Sequence, residues 1–213
     1  FLPLTTNAFI VEGNSLQIDW ESVVPKNQVS YIMGNPPFHG FTFMTAEQKQ
    51  DMQNIFPGVK NLDFVCAWYK KASDYIRGTK IEVAFVSTNS IVQGETVSRF
   101  WDFMQDDIIN FAYRTFVWDS EASVKAHVHC VIIGFAKFSR SNKYLYDNGR
   151  TTVAENINRY LMDGDNILVR SRNKPLCDIP KMIYGNKPAD GGNLNIEDED
   201  LNECIKKDPN AKK

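Results

Sequence analysis

Short apolar runs and helix-spaced apolar positions alternate along the first two-thirds of this chain. Ala8-Phe9-Ile10-Val11 is an apolar run closed by Glu12-Gly13-Asn14, the pattern of a buried strand and its turn. Val29-Ser30-Tyr31-Ile32-Met33 is a second run, closed by Gly34-Asn35-Pro36-Pro37. Thr45 and Gln48 have capping-box spacing and predict a helix over 46–56, stopped by Pro57-Gly58. Phe64, Val65, Trp68, Ala72, Tyr75 and Ile76 recur at helical spacing, which predicts a second helix over 62–77, capped by Asn61 and ended by Gly78. Residues 81–86 form a third apolar strand that runs into the polar turn Ser87-Thr88-Asn89-Ser90. Val97, Phe100, Trp101 and Met104 share one face of a helix over 95–105. Residues 108–116 and 126–135 are β-rich with no helix between them, an antiparallel hairpin with a long loop.

This order predicts an α/β sheet covered by helices, with the hairpin placing an antiparallel strand in it. The composition changes after about Lys137. Residues 140–156 are polar, 166–169 read as a short strand, and Pro175, Pro180 and Pro188 punctuate a stretch without a period. Glu197-Asp198-Glu199-Asp200 opens an acidic final segment with a short helix. The expected division is a first domain over 1–140 and a linker with the start of a further, partly disordered segment over 141–213.

Composition narrows the classes. The 213 residues, 43% of them hydrophobic, suffice for a domain with a core. Twenty-four basic residues against 26 acidic ones exclude a polycation that coats nucleic acid, and leave room for a local basic face. No apolar run approaches the roughly 20 residues of a membrane span. No basic segment followed by an apolar one opens the chain, so the expected setting is cytoplasmic, without a membrane partner. Cys66, Cys130, Cys177 and Cys204 lie far apart without a CxxC pair and read as reduced thiols. The chain starts at Phe1 and meets a strand-like run almost at once, so it reads as an excised piece of a longer protein.

Gly34-Asn35-Pro36-Pro37-Phe38 carries the candidate chemistry. As a bare tetrapeptide, Asn-Pro-Pro-Phe is also an ordinary turn. Its place after a buried strand favours a site, because open α/β sheets bind ligands at strand carboxyl ends. An exocyclic amine on a planar base or amide is a poor nucleophile, since its lone pair is delocalised. The Asn35 side-chain oxygen can accept one of its N–H groups and the Pro36 carbonyl the other. The nitrogen then becomes more tetrahedral and can attack an electrophilic methyl, by positioning and electrostatics with no strong base. Pro36 and Pro37 stiffen the loop by fixing φ, and Phe38 can stack on the base.

This run resembles motif IV of S-adenosylmethionine-dependent amino-methyltransferases, and the likeness extends along residues 1–195 to the MmeI-like class of DNA adenine-N6 methyltransferases. Leu4-Thr5-Thr6-Asn7, Val11-Glu12-Gly13-Asn14-Ser15-Leu16 and Ile18-Asp19-Trp20 look like its consecutive blocks. So do Phe85-Val86-Ser87-Thr88-Asn89-Ser90, Phe111-Ala112-Tyr113-Arg114-Thr115-Phe116-Val117-Trp118, Ser171-Arg172-Asn173-Lys174-Pro175 and Gly185-Asn186-Lys187-Pro188. The resemblance implies the C-terminal portion of a class I, Rossmann-like methyltransferase sheet ending in an antiparallel hairpin, followed by part of a target-recognition segment. It implies double-stranded DNA as partner, base flipping, and a role in restriction–modification or phage defence. It makes Asn35, Pro36, Pro37 and Phe38 the catalytic set. Gly13, Asn14 and Asn35 become cofactor contacts, with Asp19 an alternative for shaping that pocket. Trp118 or Phe116, in the 115–125 loop, becomes the aromatic partner of the flipped base.

The family's glycine-rich FxGxG motif, which holds the methionine part of S-adenosylmethionine, is not in this sequence. The expectation is that it lies upstream in the parent polypeptide, that the piece alone is inactive, and that its sheet exposes an edge. Related Asn-Pro-Pro loops also act on protein glutamine or RNA guanine, and a DNA-binding module without catalysis is the remaining alternative. His127 and His129 share a strand face but lack a third ligand, so no metal is expected. His39 sits where it can touch substrate or lie exposed in the loop. Arg114, Lys125, Lys137 and Arg140 are candidates for a basic rim on DNA phosphates, as are Arg170, Arg172, Lys174 and Lys181; a solvated surface is the alternative for both groups. Ser87 and Ser90 lack the His/Asp context of a hydrolase.

Overall fold

Local signals build the helices of one sheet face. The computed structural model describes residues 9–118, 128–172, 174–180 and 198–207. Thr45 accepts from the Gln48 backbone and the Gln48 side chain accepts from the Thr45 backbone, so the capping box forms and α2 runs Ala46–Ile55. A single-turn helix, α1 (Trp20–Val23), precedes it, capped by Asp19. α3 (Cys66–Tyr75) is shorter than its apolar spacing predicts and has no side-chain cap. Asn61 does not cap it: its backbone is left-handed at φ 64°, and the Asp63 carbonyl receives the Cys66 N–H instead. α4 (Gly94–Trp101) tightens into a 3-10 turn over Asp102–Met104.

Six strands form one mixed sheet: β1 (Tyr31–Gly34), β2 (Glu82–Thr88), β3 (Ile108–Trp118), β4 (Val128–Ala136), β5 (Lys143–Asp147) and β6 (Arg150–Ala154), in the order β1-β2-β4-β3-β5-β6. β1 and β2 are parallel. β4 is antiparallel to both β2 and β3, as the long hairpin predicts. β5 joins β3 in parallel and turns back into β6. The sheet therefore does not end in the β3–β4 hairpin. Asn148-Gly149, both at positive φ (47° and 78°), make the tight turn of a second hairpin.

The core lies between one sheet face and α2, α3 and α4. Tyr69 stacks on Phe135 at 5.5 Å and meets Phe85 edge-on at 5.2 Å. Its buried hydroxyl bonds the Phe85 carbonyl at 3.1 Å and Ser87 Oγ at 3.0 Å, fixing α3 on β2. Burial raises the Tyr69 hydroxyl well above its ordinary pKa, so it stays protonated.

Two predicted strands form no ladder among the described residues. Phe9, Ile10 and Val11 are 71%, 88% and 55% exposed and outside any ladder among the described residues. Residues 166–169 carry no regular secondary structure and pair with no strand among the described residues. β1 forms one sheet edge and leaves Tyr31 and Met33 65% and 80% exposed. The chain divides into two compact units, Phe1–Ser171 and Arg172–Lys213. The second contains α5 (Asp198–Lys207), whose last turn carries Lys206 and Lys207, the favourable sign for a helix C-terminus.

Gly134 lies under the Phe111 ring: a Cβ there would sit 2.0 Å from Phe111 Cε1. Gly134→Ala is expected to cost about 1–3 kcal/mol through overpacking. The urea midpoint of the full-length polypeptide measures this, and in a Phe111→Ala background the added cost of Gly134→Ala should largely vanish.

Candidate active site

Strand direction gathers three carboxyl ends on one sheet edge. β1 ends at Gly34, level with Phe85 of β2, and β2 runs on to Thr88. β4 reverses direction between β2 and β3, so β3 is parallel to β2 and ends on the same edge at Trp118. Such an edge is where open α/β sheets hold ligands.

The Asn35–Phe38 loop leaves this edge from β1. Asn35 is exposed, and among the described residues its amide has no protein partner. Pro36 is buried and Pro37 exposed, while Phe38 is half-buried and packs on the core. The loop's far end is pinned from two sides. The Phe64 N–H donates to the His39 carbonyl at 2.9 Å, and the two rings stack at 6.2 Å. His39 Nδ1 also hydrogen-bonds the Gln48 amide at 3.2 Å. Exposed His39 is thus part of the loop's anchorage.

The Gly13–Asp19 segment is fastened to α2 and α3. Gly13 has φ 151°, a backbone conformation that favours glycine; a Cβ there would lie 2.7 Å from the terminal Ile18 Cδ1, which would have to shift. Asn14 Oδ1 accepts from the Leu16 N–H at 3.0 Å, and its Nδ2 donates to Asp51 at 2.8 Å. Gln17 Nε2 donates to the other Asp51 oxygen at 2.9 Å. Lys71 Nζ donates to the Leu16 carbonyl at 2.7 Å. Partial burial lowers the Lys71 pKa, and the charges of Asp19 and Asp51 oppose that shift. Both ends of the Asn14 amide therefore have protein partners. Beside this turn an apolar cavity of about 400 Å³ is lined by Val11, Gly13, Ile18, Trp20, Ile32 and Tyr75.

At the end of β3, Phe116 is half-buried and paired in register with Cys130; Trp118 pairs with Val128. The Trp118 side chain, residues 119–127 with Lys125 and His127, and Lys181 lie outside the described residues. The basic rim is not assembled as expected. Lys137 follows β4 and bonds Ser73 and Asp107 at 2.8 and 2.9 Å. Arg140 grips Glu82 at the start of β2, so both stand at the sheet end opposite Trp118. Arg114 pairs with Asp147 at 3.1 Å and Arg170 with Asp102 at 2.9 Å. Cys66, Cys130 and Cys177 are free thiols; burial, then the Asp63 charge, pushes the Cys66 thiol up and keeps it unreactive.

Sequence reasoning missed Asp51 and Asp63. Asp51 is buried on α2 and organises Asn14 and Gln17. Asp63 Oδ2 accepts from Thr88 Oγ1 at 2.7 Å and from Ser90 Oγ. The only signal in the sequence was the polar run Ser87-Thr88-Asn89-Ser90 after an apolar strand, which by itself names no partner.

Comparison with known proteins agrees with this architecture. Residues 1–147 match the MmeI DNA-methyltransferase domain, and residues 163–213 the MmeI target recognition domain. DNA methyltransferase A of Bacillus subtilis (strain 168) is 42% identical over 216 residues, which cover 98% of this chain and 25% of that protein. The structure of the type IIL restriction–modification enzyme MmeI in complex with DNA is 44% identical with a TM-score of 0.84, covering 97% of this chain and 29% of that one. The chain thus spans between a quarter and a third of the length of these two relatives. By the match of its first 147 residues and by these likenesses, the chain belongs to the MmeI family of DNA methyltransferases.

Proposed function

We propose that the polypeptide containing this chain transfers a methyl group from S-adenosylmethionine to adenine N6 in duplex DNA, within a restriction–modification or phage-defence system. The observation that carries this reading is Asn35: an exposed amide, without a partner among the described residues, on a stiff loop at the carboxyl edge of a parallel strand pair. Asn35 Oδ1 and the Pro36 carbonyl accept the two N–H groups of the adenine amine, and Phe38 covers a face of the base. This holds the amine lone pair toward the methyl group and needs little reorganisation at the moment of transfer. The flipped base requires an aromatic partner to offset unstacking, a role that falls to Trp118 or Phe116.

The cofactor supplies the electrophilic methyl. This chain fits it in part. The apolar cavity beside Gly13 suits a purine face. The Asn14 amide, already bonded to Leu16 and Asp51, serves by shaping the turn rather than by reading the purine. The remaining contacts belong to the rest of the polypeptide, which is also the partner for the β1 edge. The reading places the enzyme in the cytoplasm; no helix among the described residues is long and apolar enough to cross a membrane.

Incubating the full-length polypeptide with labelled S-adenosylmethionine and mixed duplex DNA is expected to place label in N6-methyladenine. Label in protein glutamine or RNA guanine would move the substrate, and absence of cofactor binding would leave a DNA-binding module.

A further inference from the structure

Asp63 stands where three parts of the candidate site meet. Its Oδ2 receives the hydroxyls of Thr88, the last residue of β2, and of Ser90, in the turn that follows. Those two hydroxyls also touch each other, at 2.7 Å. Its carbonyl receives the Cys66 N–H at 3.0 Å and so starts α3. The next residue, Phe64, donates its N–H to His39 at 2.9 Å and stacks on the His39 ring. Asp63 Oδ1 faces Gly40: a Cβ on Gly40 would lie 3.9 Å from it. The carboxylate is partly exposed on this edge, and among the described residues Oδ1 carries no hydrogen bond.

We propose that Asp63 is a positioning residue: it ties the carboxyl end of β2 to the anchor of the Asn35–His39 loop and so fixes where Asn35 meets the target amine. This rests on the amine-orienting reading of Asn35. Two hydroxyls converging on one carboxylate oxygen form a charge-assisted clamp stronger than neutral bonds. The route to the loop is short: Asp63 to Phe64 along the backbone, Phe64 N–H to the His39 carbonyl, and His39 beside Phe38. A displacement near 1 Å at the reacting amine is enough to slow transfer about 100-fold.

The test uses the full-length polypeptide with labelled S-adenosylmethionine and duplex DNA, and a second substrate carrying 2-aminopurine at the target base. Asp63→Asn is expected to lower kcat about 100-fold while KM for DNA changes less than about 3-fold. The 2-aminopurine signal of flipping should persist. Thr88→Val, which keeps shape and removes the hydroxyl, should lower kcat about 10-fold, and Thr88→Ser should restore it. Asp63→Asn with kcat within about 3-fold of wild type overturns the proposal. So does a parallel loss of melting temperature, DNA affinity and kcat that Thr88→Ser shares, which would mark a purely structural clamp. A wild-type protein that labels no adenine overturns the functional reading itself, and the role of Asp63 with it.

Discussion

Asn35→Ala is expected to lower methyl transfer by about 10³-fold while leaving DNA binding within about 3-fold of wild type. The side chain is exposed and makes no hydrogen bond among the described residues. Its removal therefore leaves no buried group unsatisfied and costs the fold little. On the proposed reading, what disappears is an acceptor for an N–H that grows more acidic as the amine attacks, an interaction stronger in the transition state than in the ground state. Such a loss appears in kcat more than in KM. Single-turnover labelling of one target duplex, with filter binding alongside, separates the two effects. Equal losses in binding and turnover would show that Asn35 holds the DNA rather than orients the amine.

The part of this site that sequence makes visible is the part whose chemistry is local. Asn35 to Phe38 are consecutive, and their strand-end position follows from the apolar run before them. The α2 cap was legible for the same reason, since Thr45 and Gln48 are three apart and form both bonds of the box. Asn61 misled because its polar side chain precedes an apolar helical face; the Asp63 carbonyl takes the Cys66 N–H instead, while its side chain holds the distant Thr88 and Ser90. Asp51 reaches Asn14 across 37 residues and Asp63 reaches Thr88 across 25, and no periodicity encodes such pairs.

Strand direction explains the other differences. Lys137 and Arg140 follow an antiparallel strand, so they stand at the opposite sheet end from Trp118 although the sequence suggested one rim. The β5–β6 hairpin had a turn signal in Asn148-Gly149, but its strands read as polar. Lys143 is buried there with its ammonium donating to the Glu155 carbonyl at 3.0 Å, which a composition count scores as surface. The exposed Phe9–Val11 run shows the limit of apolar patterning: hydrophobicity marks a segment that suits a partner strand without showing which strand that is.

Arg159→Ala should produce the largest loss of stability, about 3 kcal/mol at neutral pH. Arg159 is 5% exposed. It donates to the carbonyls of Met104, Gln105 and Asp107 at 3.1, 3.3 and 2.6 Å and lies over the Trp101 ring at 4.7 Å. Alanine leaves three carbonyls without their donor and a void against Trp101. The charge has a second effect. Burial raises the Asp107 carboxyl above its ordinary pKa, and Ser73, Lys137 and Arg159 pull it back down. A carboxyl whose folded pKa is raised contributes stability that is fully present below the unfolded value and lost as pH rises through the folded one. Removing Arg159 raises that folded value further, so the ionised Asp107 costs more at neutral pH. The penalty of Arg159→Ala should therefore shrink as pH falls through the carboxyl's raised pKa. Urea midpoints followed by tryptophan emission, compared at neutral and mildly acid pH in the full-length polypeptide, measure both the loss and its slope. A penalty that is constant across that range would assign Arg159 to carbonyl bonding and packing alone, without a charge effect on Asp107.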